Sequence, residues 1–235
     1  MIKDGIKIVQ VKNSEEGIEA CKKLLYEMVS KSAVLFLSGG STPKTLYEIL
    51  AKDGKLNAGA VAMVDERFGE KWYEDSNELM IKNTQLLSFL QKSNTEFYPI
   101  LQNENIEDTA MQYDETARYL FNYFQKSVAI LGIGADGHTA GIPAIEEISQ
   151  KILNDKFSLV DFYDDKESFY KQRITLTFLG LSKIDQIIVM VFGKDKKKAL
   201  QFMFKTGSIA QIPARFLIQK EISSKVTLIT DQNIK

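Results

Sequence analysis

The chain has 235 residues, 44% of them hydrophobic, a net charge of −1 and one cysteine. These values exclude an internal disulfide scaffold and a charge-driven grip on nucleic acid or an anionic membrane, and no apolar run reaches the ~18 residues that a membrane helix needs. They suit one α/β core, so a single domain over residues 1–235 is expected.

The N-terminal MIKDGIKIVQV lacks the apolar centre and small-residue cleavage site of a secretory leader, and it reads as a polar lead into a strand over Ile6 to Val11. Asn13 or Ser14 caps a helix whose apolar face is Ile18, Cys21, Leu24, Leu25 and Met28. Cys21 therefore reads as a buried small hydrophobe, and a reducing, cytoplasmic setting is expected. Ala33 to Leu37 is a continuous apolar run of the kind found in buried parallel strands. It leads into Ser38-Gly-Gly-Ser-Thr-Pro43 and a helix carrying Leu46, Tyr47, Ile49 and Leu50. Val61 to Val64 predicts a strand that ends in Asp65-Glu66-Arg67, and Asp75-Ser-Asn77 caps a helix through Leu87. Phe97 to Leu101 predicts another strand, and the spacing of Ile106, Ala110, Tyr113, Ala117, Leu120 and Phe124 predicts a helix.

Val128 to Leu131 reads as a buried strand. It breaks into Gly132-Ile-Gly-Ala-Asp-Gly-His138, which holds the chain's one histidine. Beyond it the pattern predicts a helix over Ile145 to Leu153 and a strand over Phe157 to Tyr163. Asp161, Asp164, Asp165, Lys166 and Glu167 read as a solvated charge-rich loop. Arg173 to Thr177, Ile187 to Phe192 and Val226 to Thr230 read as further strands, with a helix over Asp195 to Phe204. Strands and helices alternate with short connections. The expected fold is α/β, a doubly wound, mostly parallel sheet with helices on both faces.

Three segments carry chemistry. In Ser38–Pro43, Gly39 and Gly40 let backbone approach a ligand, Ser41 and Thr42 supply hydroxyls, and the first-turn amides of the next helix are unpaired. That is an anion site suited to a phosphate monoester, although the Gly-Lys-Ser/Thr of a Walker loop is missing. Arg173 and Lys196 are candidate cations for the same group, and Lys196 sits in a helix first turn where a bound anion offsets its clash with the dipole. Asp65-Glu66-Arg67 ends a strand at the same sheet edge, with Arg67 placed to fix a carbonyl or carboxylate and Asp65 to orient it. His138 is the candidate general base, since an ordinary imidazole transfers protons near neutrality. With no second histidine and no cysteine pair, a metal centre is not expected, and no Gly-x-Ser-x-Gly elbow marks a serine hydrolase.

Taken in order, Ser38-Gly-Gly-Ser-Thr-Pro43, Asp65-Glu-Arg67 with Asp75-Ser-Asn77, Gly134-Ala-Asp-Gly-His-Thr-Ala140, Arg173-Ile-Thr-Leu-Thr177, Gly193-Lys-Asp-Lys196 and Ile212-Pro-Ala214 resemble the 6-phosphogluconolactonase family across nearly the whole chain. The wider superfamily includes glucosamine-6-phosphate deaminase, which typically carries Asp-Glu-Tyr at the Asp65–Arg67 position and Asn-Glu-Pro after the histidine. Here Gly141-Ile-Pro143 follows instead, one residue shorter than the lactonase Thr-Ala-Ser-Leu-Phe-Pro pattern, and Phe68-Gly69 replaces the usual Val-Pro.

The resemblance implies hydrolysis of 6-phospho-D-glucono-1,5-lactone in the pentose phosphate pathway. His138, oriented by Asp136, is the expected base. Arg67, with Asp65 and backbone amides of the glycine loop, is expected at the oxyanion. Gly39, Gly40, Ser41, Thr42, Arg173 and Lys196 are expected at the phosphate. No cofactor is implied. The expected partner is a small sugar phosphate, with neither nucleic acid nor membrane, and the chain is expected to be a monomer or weak homo-oligomer. The alternatives are an amino-sugar-phosphate deaminase/isomerase and a sugar-phosphate-binding protein with little turnover.

Overall fold

A computed structural model describes residues 1–102, 104–165 and 170–234. The chain starts with a short hairpin, β1 (Ile2–Lys3) and β2 (Ile6–Gln10), followed by α1 (Ser14–Met28). Asn13 caps α1 by accepting from Glu16 N at 2.9 Å. Next come β3 (Ala33–Leu37), α2 (Ser41–Asp53), β4 (Ala60–Met63), β5 (Asp65–Arg67), α3 (Asn77–Asn83), α4 (Leu86–Lys92) and β6 (Glu96–Tyr98). The middle of the chain forms α5 (Ile106–Tyr123), β7 (Lys126–Gly132), α6 (Glu146–Asn154), β8 (Val160–Asp164) and β9 (Gln172–Leu176). The last part is α7 (Phe178–Ser182), β10 (Gln186–Val191), a 3-10 turn (Lys194–Lys196) running into α8 (Lys197–Met203), a second 3-10 stretch (Pro213–Ile218), α9 (Lys220–Ser223) and β11 (Val226–Thr230).

Eight strands form the main sheet in the order β1-β2-β11-β10-β7-β3-β4-β6. Every neighbouring pair is parallel except the β1–β2 hairpin. From β3 the chain winds outward through β4 to β6. It then returns past β3 to β7, β10 and β11. Right-handed crossovers place α1 to α4 on one face and α5 to α9 on the other. Packing agrees: α1 lies on α2, α2 on α4, and α6 on α7. All five residues of β3 and all four of β4 are buried, as are Val128 to Leu131 of β7. These apolar runs are stable as strands because helices cover both faces. Cys21 is buried among them, and burial pushes its thiol up. Among the described residues no helix is long and apolar enough to cross a membrane.

The sequence pattern assigns all strands to one sheet, but β5, β9 and β8 form a separate three-stranded antiparallel sheet. The chain leaves the main sheet at Val64, whose amide donates to Leu37 O at 2.8 Å while its carbonyl accepts from Leu176 N at 2.9 Å. Asp114 of α5 anchors the far edge by accepting from the amides of Leu159 and Val160 at 2.5 and 3.0 Å. Several boundaries move for local reasons. The helix expected through Leu87 splits into α3 and α4, because Thr84 Oγ1 donates to Ile81 O and accepts from Leu86 N, and Gln85 turns left-handed at φ 67°. The strand expected to reach Leu101 stops before Pro99, and the amides of Ile100 and Leu101 turn to Glu78. Asp155 draws the amides of Phe157 and Ser158 into a turn, so β8 starts at Val160. Asp161 and Asp164, read as solvated loop, lie in β8, where Asp161 pairs with Lys151 at 3.3 Å. Lys166 and Glu167 lie outside the described residues.

Candidate active site

The winding direction reverses between β3 and β7, which are neighbours in the sheet. Their following loops part towards opposite faces and leave a crevice at the carboxyl edge, the place where open α/β sheets take ligands. A cleft of about 260 Å³ lies there. It is lined by Gly39, Gly40, Ser41, Thr42, Asp65, Arg67, His138, Arg173 and Lys196, nine of the ten residues singled out from the sequence. Asp136 stands behind His138 rather than on the cleft wall.

The β3–α2 loop is fixed from below. Ser38 Oγ donates to Ile130 O at 2.7 Å and Tyr47 OH donates to Ser38 O at 2.8 Å. Gly40, at φ +111°, is the cap residue of α2 and offers no side chain to the first-turn amides. A Cβ on Gly39 would lie 1.9 Å from Asn77 Oδ1, so only glycine lets the loop close down on α3. The result is a helix N-terminus opening into the cleft with two hydroxyls beside it.

The loop after β7 is folded on itself. Gly134 N donates to His138 O at 2.9 Å, Gly137 N donates to Gly134 O at 3.0 Å, and Thr139 Oγ1 donates to Gly132 O at 2.8 Å. Of the loop amides expected at the oxyanion, those of Gly134 and Gly137 are therefore committed to the turn. Asp136 Oδ1 takes both the His138 amide (3.1 Å) and Nδ1 (2.6 Å). The bond to His138 outweighs desolvation and holds the Asp136 carboxyl down to about 2. With Nδ1 engaged, Nε2 is the ring nitrogen left for substrate or water. The chain then turns through two left-handed residues, Ala140 (φ 53°) and Gly141 (φ 70°). Their carbonyls accept from Thr175 Oγ1 and from Tyr163 OH, the latter at 2.5 Å, so the histidine loop is tied to the small sheet.

The small sheet brings Arg67 and Arg173 directly opposite one another. Like charges in that register repel. They are held by Asp65 Oδ2, 3.4 Å from Arg173 Nη1, by Asp75 O, which accepts from Arg67 Nη1 at 2.7 Å, and by the Tyr170 ring, 4.0 Å below the Arg67 guanidinium. Arg67 Nε is buried with no partner among the described residues. Two half-buried guanidiniums over one buried carboxylate leave a local positive excess, which suits an anionic ligand despite the neutral balance of the whole chain. Burial pushes the Asp65 carboxyl up, opposed first by Arg173 and then by Arg67 and His138.

Two residues of this site escaped the sequence reading. Asn77, read as part of a helix cap, lines the cleft and donates Nδ2 to Asp65 O at 3.0 Å, whereas Ser76 is the actual cap, accepting from Leu79 N at 3.0 Å. Glu66 is fully buried and accepts from the amides of Arg67, Asn77 and Glu78 at 2.7, 2.7 and 2.8 Å. It locks β5 to the start of α3, and its one signal was an acid inside a charged triplet that closes an apolar run. Burial, reinforced by Glu78, pushes its carboxyl up to about 8 from an ordinary 4.5. The folded protein thus binds this proton more tightly than the unfolded chain, so its contribution to stability falls as pH rises between those values. Glu66→Gln is expected to flatten the loss of stability between pH 5 and pH 8 in urea titrations. An unchanged slope would contradict the assignment.

Lys196 ends the 3-10 turn ahead of α8 instead of lying in a first α-turn, and its ammonium is 3.7 Å from Asp195. Among the described residues no group of three or more His, Cys, Asp or Glu side chains converges to hold a metal ion.

The chain is similar to known proteins over most of its length. A protein from Clostridium perfringens named glucosamine-6-phosphate deaminase is 26% identical over 97% of this chain and 98% of its own. A 6-phosphogluconolactonase from Nostoc is 32% identical over 77% and 75%. The solved 6-phosphogluconolactonase from Plasmodium vivax superposes with a TM-score of 0.79 at 19% identity, covering 100% of this chain and 94% of that one, a likeness of fold. The profile described as glucosamine-6-phosphate isomerases/6-phosphogluconolactonase matches residues 12–228, and the chain belongs to that family.

Proposed function

We infer that this chain is a 6-phosphogluconolactonase, hydrolysing 6-phospho-D-glucono-1,5-lactone to 6-phosphogluconate. The observation that carries this choice within the family is the wall after His138. There Ile142, fully buried, stands immediately before Pro143, where a deaminase-type Asn-Glu-Pro would present its glutamate. Arg67 rather than tyrosine closes the acidic triplet, which puts a cation where an ester carbonyl gains negative charge.

The phosphate rests at the N-terminus of α2 against Gly39, Gly40, Ser41 and Thr42, with Arg173 and Lys196 supplying charge. His138 Nε2 takes a proton from the attacking water, while Asp136 holds Nδ1 and stabilises the imidazolium that forms. The same imidazolium returns the proton to the ring oxygen as the C–O bond breaks. Arg67 stabilises the tetrahedral oxyanion, a contribution of about 3 kcal/mol for one well-placed donor. Asp65 orients Arg173, and Asn77 fixes Asp65. Water and a strained ester suffice without a cofactor.

The test is hydrolysis of freshly generated lactone by purified protein against the spontaneous rate. No acceleration would overturn the reading. The near full-length match to the Clostridium perfringens deaminase supports one alternative, release of ammonia from glucosamine 6-phosphate, and the same preparation assayed for ammonia discriminates the two.

A further inference from the structure

A second concavity lies beside the C-terminal strand, apart from the cleft described above. It has a volume of about 640 Å³ and lies between β1, α8 and the residues that follow β11. Leu200, Phe204 and Ile234 form an apolar floor. Lys3, Lys197 and Lys205 stand around it, and among the described residues no Asp or Glu side chain lines it. Lys197 is the first residue of α8 and Lys205 lies two residues past its last, so the positive charge stands at both ends of that helix. The volume is in the range of small-molecule sites, which pair an apolar surface with a few convergent polar groups.

The groove is wired to the first cleft. Lys196 lines one and Lys197 the other, on consecutive residues. Gln232, in the groove, donates Nε2 to Asp231 Oδ1 at 2.6 Å, and Asp231 accepts the amide of Gly193 at 3.1 Å. Gly193, at φ +98°, starts the turn that carries Lys196. A ligand that draws on Lys197 or Gln232 acts on the same turn that places Lys196.

We propose that the groove lined by Lys3, Lys197, Lys205, Leu200, Phe204 and Ile234 is a second binding site, for an anion with an apolar body of the nucleoside phosphate class, and that its occupation is coupled through the Gly193–Lys197 turn to the cleft. Cations flanking an apolar floor recognise both halves of such a ligand, whereas a bare anion uses only the rim. By linkage, whatever affinity the groove ligand adds or removes at the cleft is returned in equal measure.

Calorimetry with adenosine 5′-diphosphate tests the site directly, without reference to any reaction. Saturable binding is expected in the presence of saturating 6-phosphogluconate, at least tenfold weaker in K197E/K205E. Both lysines are exposed and lie outside the cleft machinery, so unchanged thermal unfolding is the control for folding. Inorganic phosphate is expected to bind at least tenfold more weakly than the nucleotide. Absence of nucleotide binding at millimolar concentration, equal binding by K197E/K205E, or equal binding of inorganic phosphate each overturns the proposal. The coupling arm rests on the lactonase reading: nucleotide is expected to shift the KM for lactone in the wild type and not in K197E/K205E. An unshifted KM with intact nucleotide binding overturns the coupling. Absence of turnover in both proteins counts against the lactonase reading, and the calorimetry then decides the second site by itself.

Discussion

His138→Ala is expected to lower kcat for lactone hydrolysis by about 10²- to 10⁴-fold, the range for removing one general acid–base group. KM is expected to change little, because the proposed phosphate contacts come from the β3–α2 loop, β9 and the turn before α8, all of which line the cleft. The side chain is about half exposed (49%), so the fold is expected to survive, with thermal unfolding within about 0.5 kcal/mol of the wild type. Initial rates corrected for spontaneous hydrolysis check this. Turnover equal to the wild type would remove His138 from the mechanism.

Arg173→Met is expected to do two things at once. It removes a cation from the proposed phosphate site, worth about 1.5–3 kcal/mol for a hydrogen bond to a charged group, so KM is expected to rise about 10- to 100-fold. It also strips Asp65 of its guanidinium partner at 3.4 Å. Breaking a fully buried pair costs about 3–5 kcal/mol. Arg173 retains 19% side-chain exposure, so about 2 kcal/mol is the expected loss. Burial already raises the Asp65 carboxyl, and Arg173 is the first group opposing that rise. Without it the folded-state affinity for the proton climbs further, so the variant is expected to lose more stability at pH 8 than at pH 5. Paired urea titrations at the two pH values and a KM measurement separate the effects. A lysine at this position restores charge but not the forked geometry, and only partial recovery of KM is expected.

The two glycine-rich loops were legible in the sequence because each follows an uninterrupted apolar run, Ala33–Leu37 or Val128–Leu131, and because parallel strands buried on both faces leave that signature. The small sheet was not legible. β5 is three charged residues, and its strand character comes from pairing with β9, not from its own composition. β8 and β9 were read as strands, but nothing in their alternation says which sheet they join. Asn77 and Glu66 were hidden for a related reason: their roles lie in contacts with backbone amides and with Asp65 that no local period records. The split between α3 and α4 depended on one threonine hydroxyl and one left-handed glutamine, neither of which interrupts the apolar pattern.

The pairing of Asp65 with Thr175 closes a loop of about 110 residues, which by the logarithmic closure relation costs about 4 kcal/mol of chain entropy before the contact is made. The helices and the β3–β4 pair form from nearer neighbours, so the arginine side of the cleft is among the slowest parts to assemble. During synthesis, Ser38–Pro43 and His138 emerge well before Arg173. Until Leu176 has joined Val64, a nascent chain holds the proposed anchor and base without the cations proposed to complete them, and competence for the proposed reaction is expected to arrive as a late folding event rather than to accumulate with length.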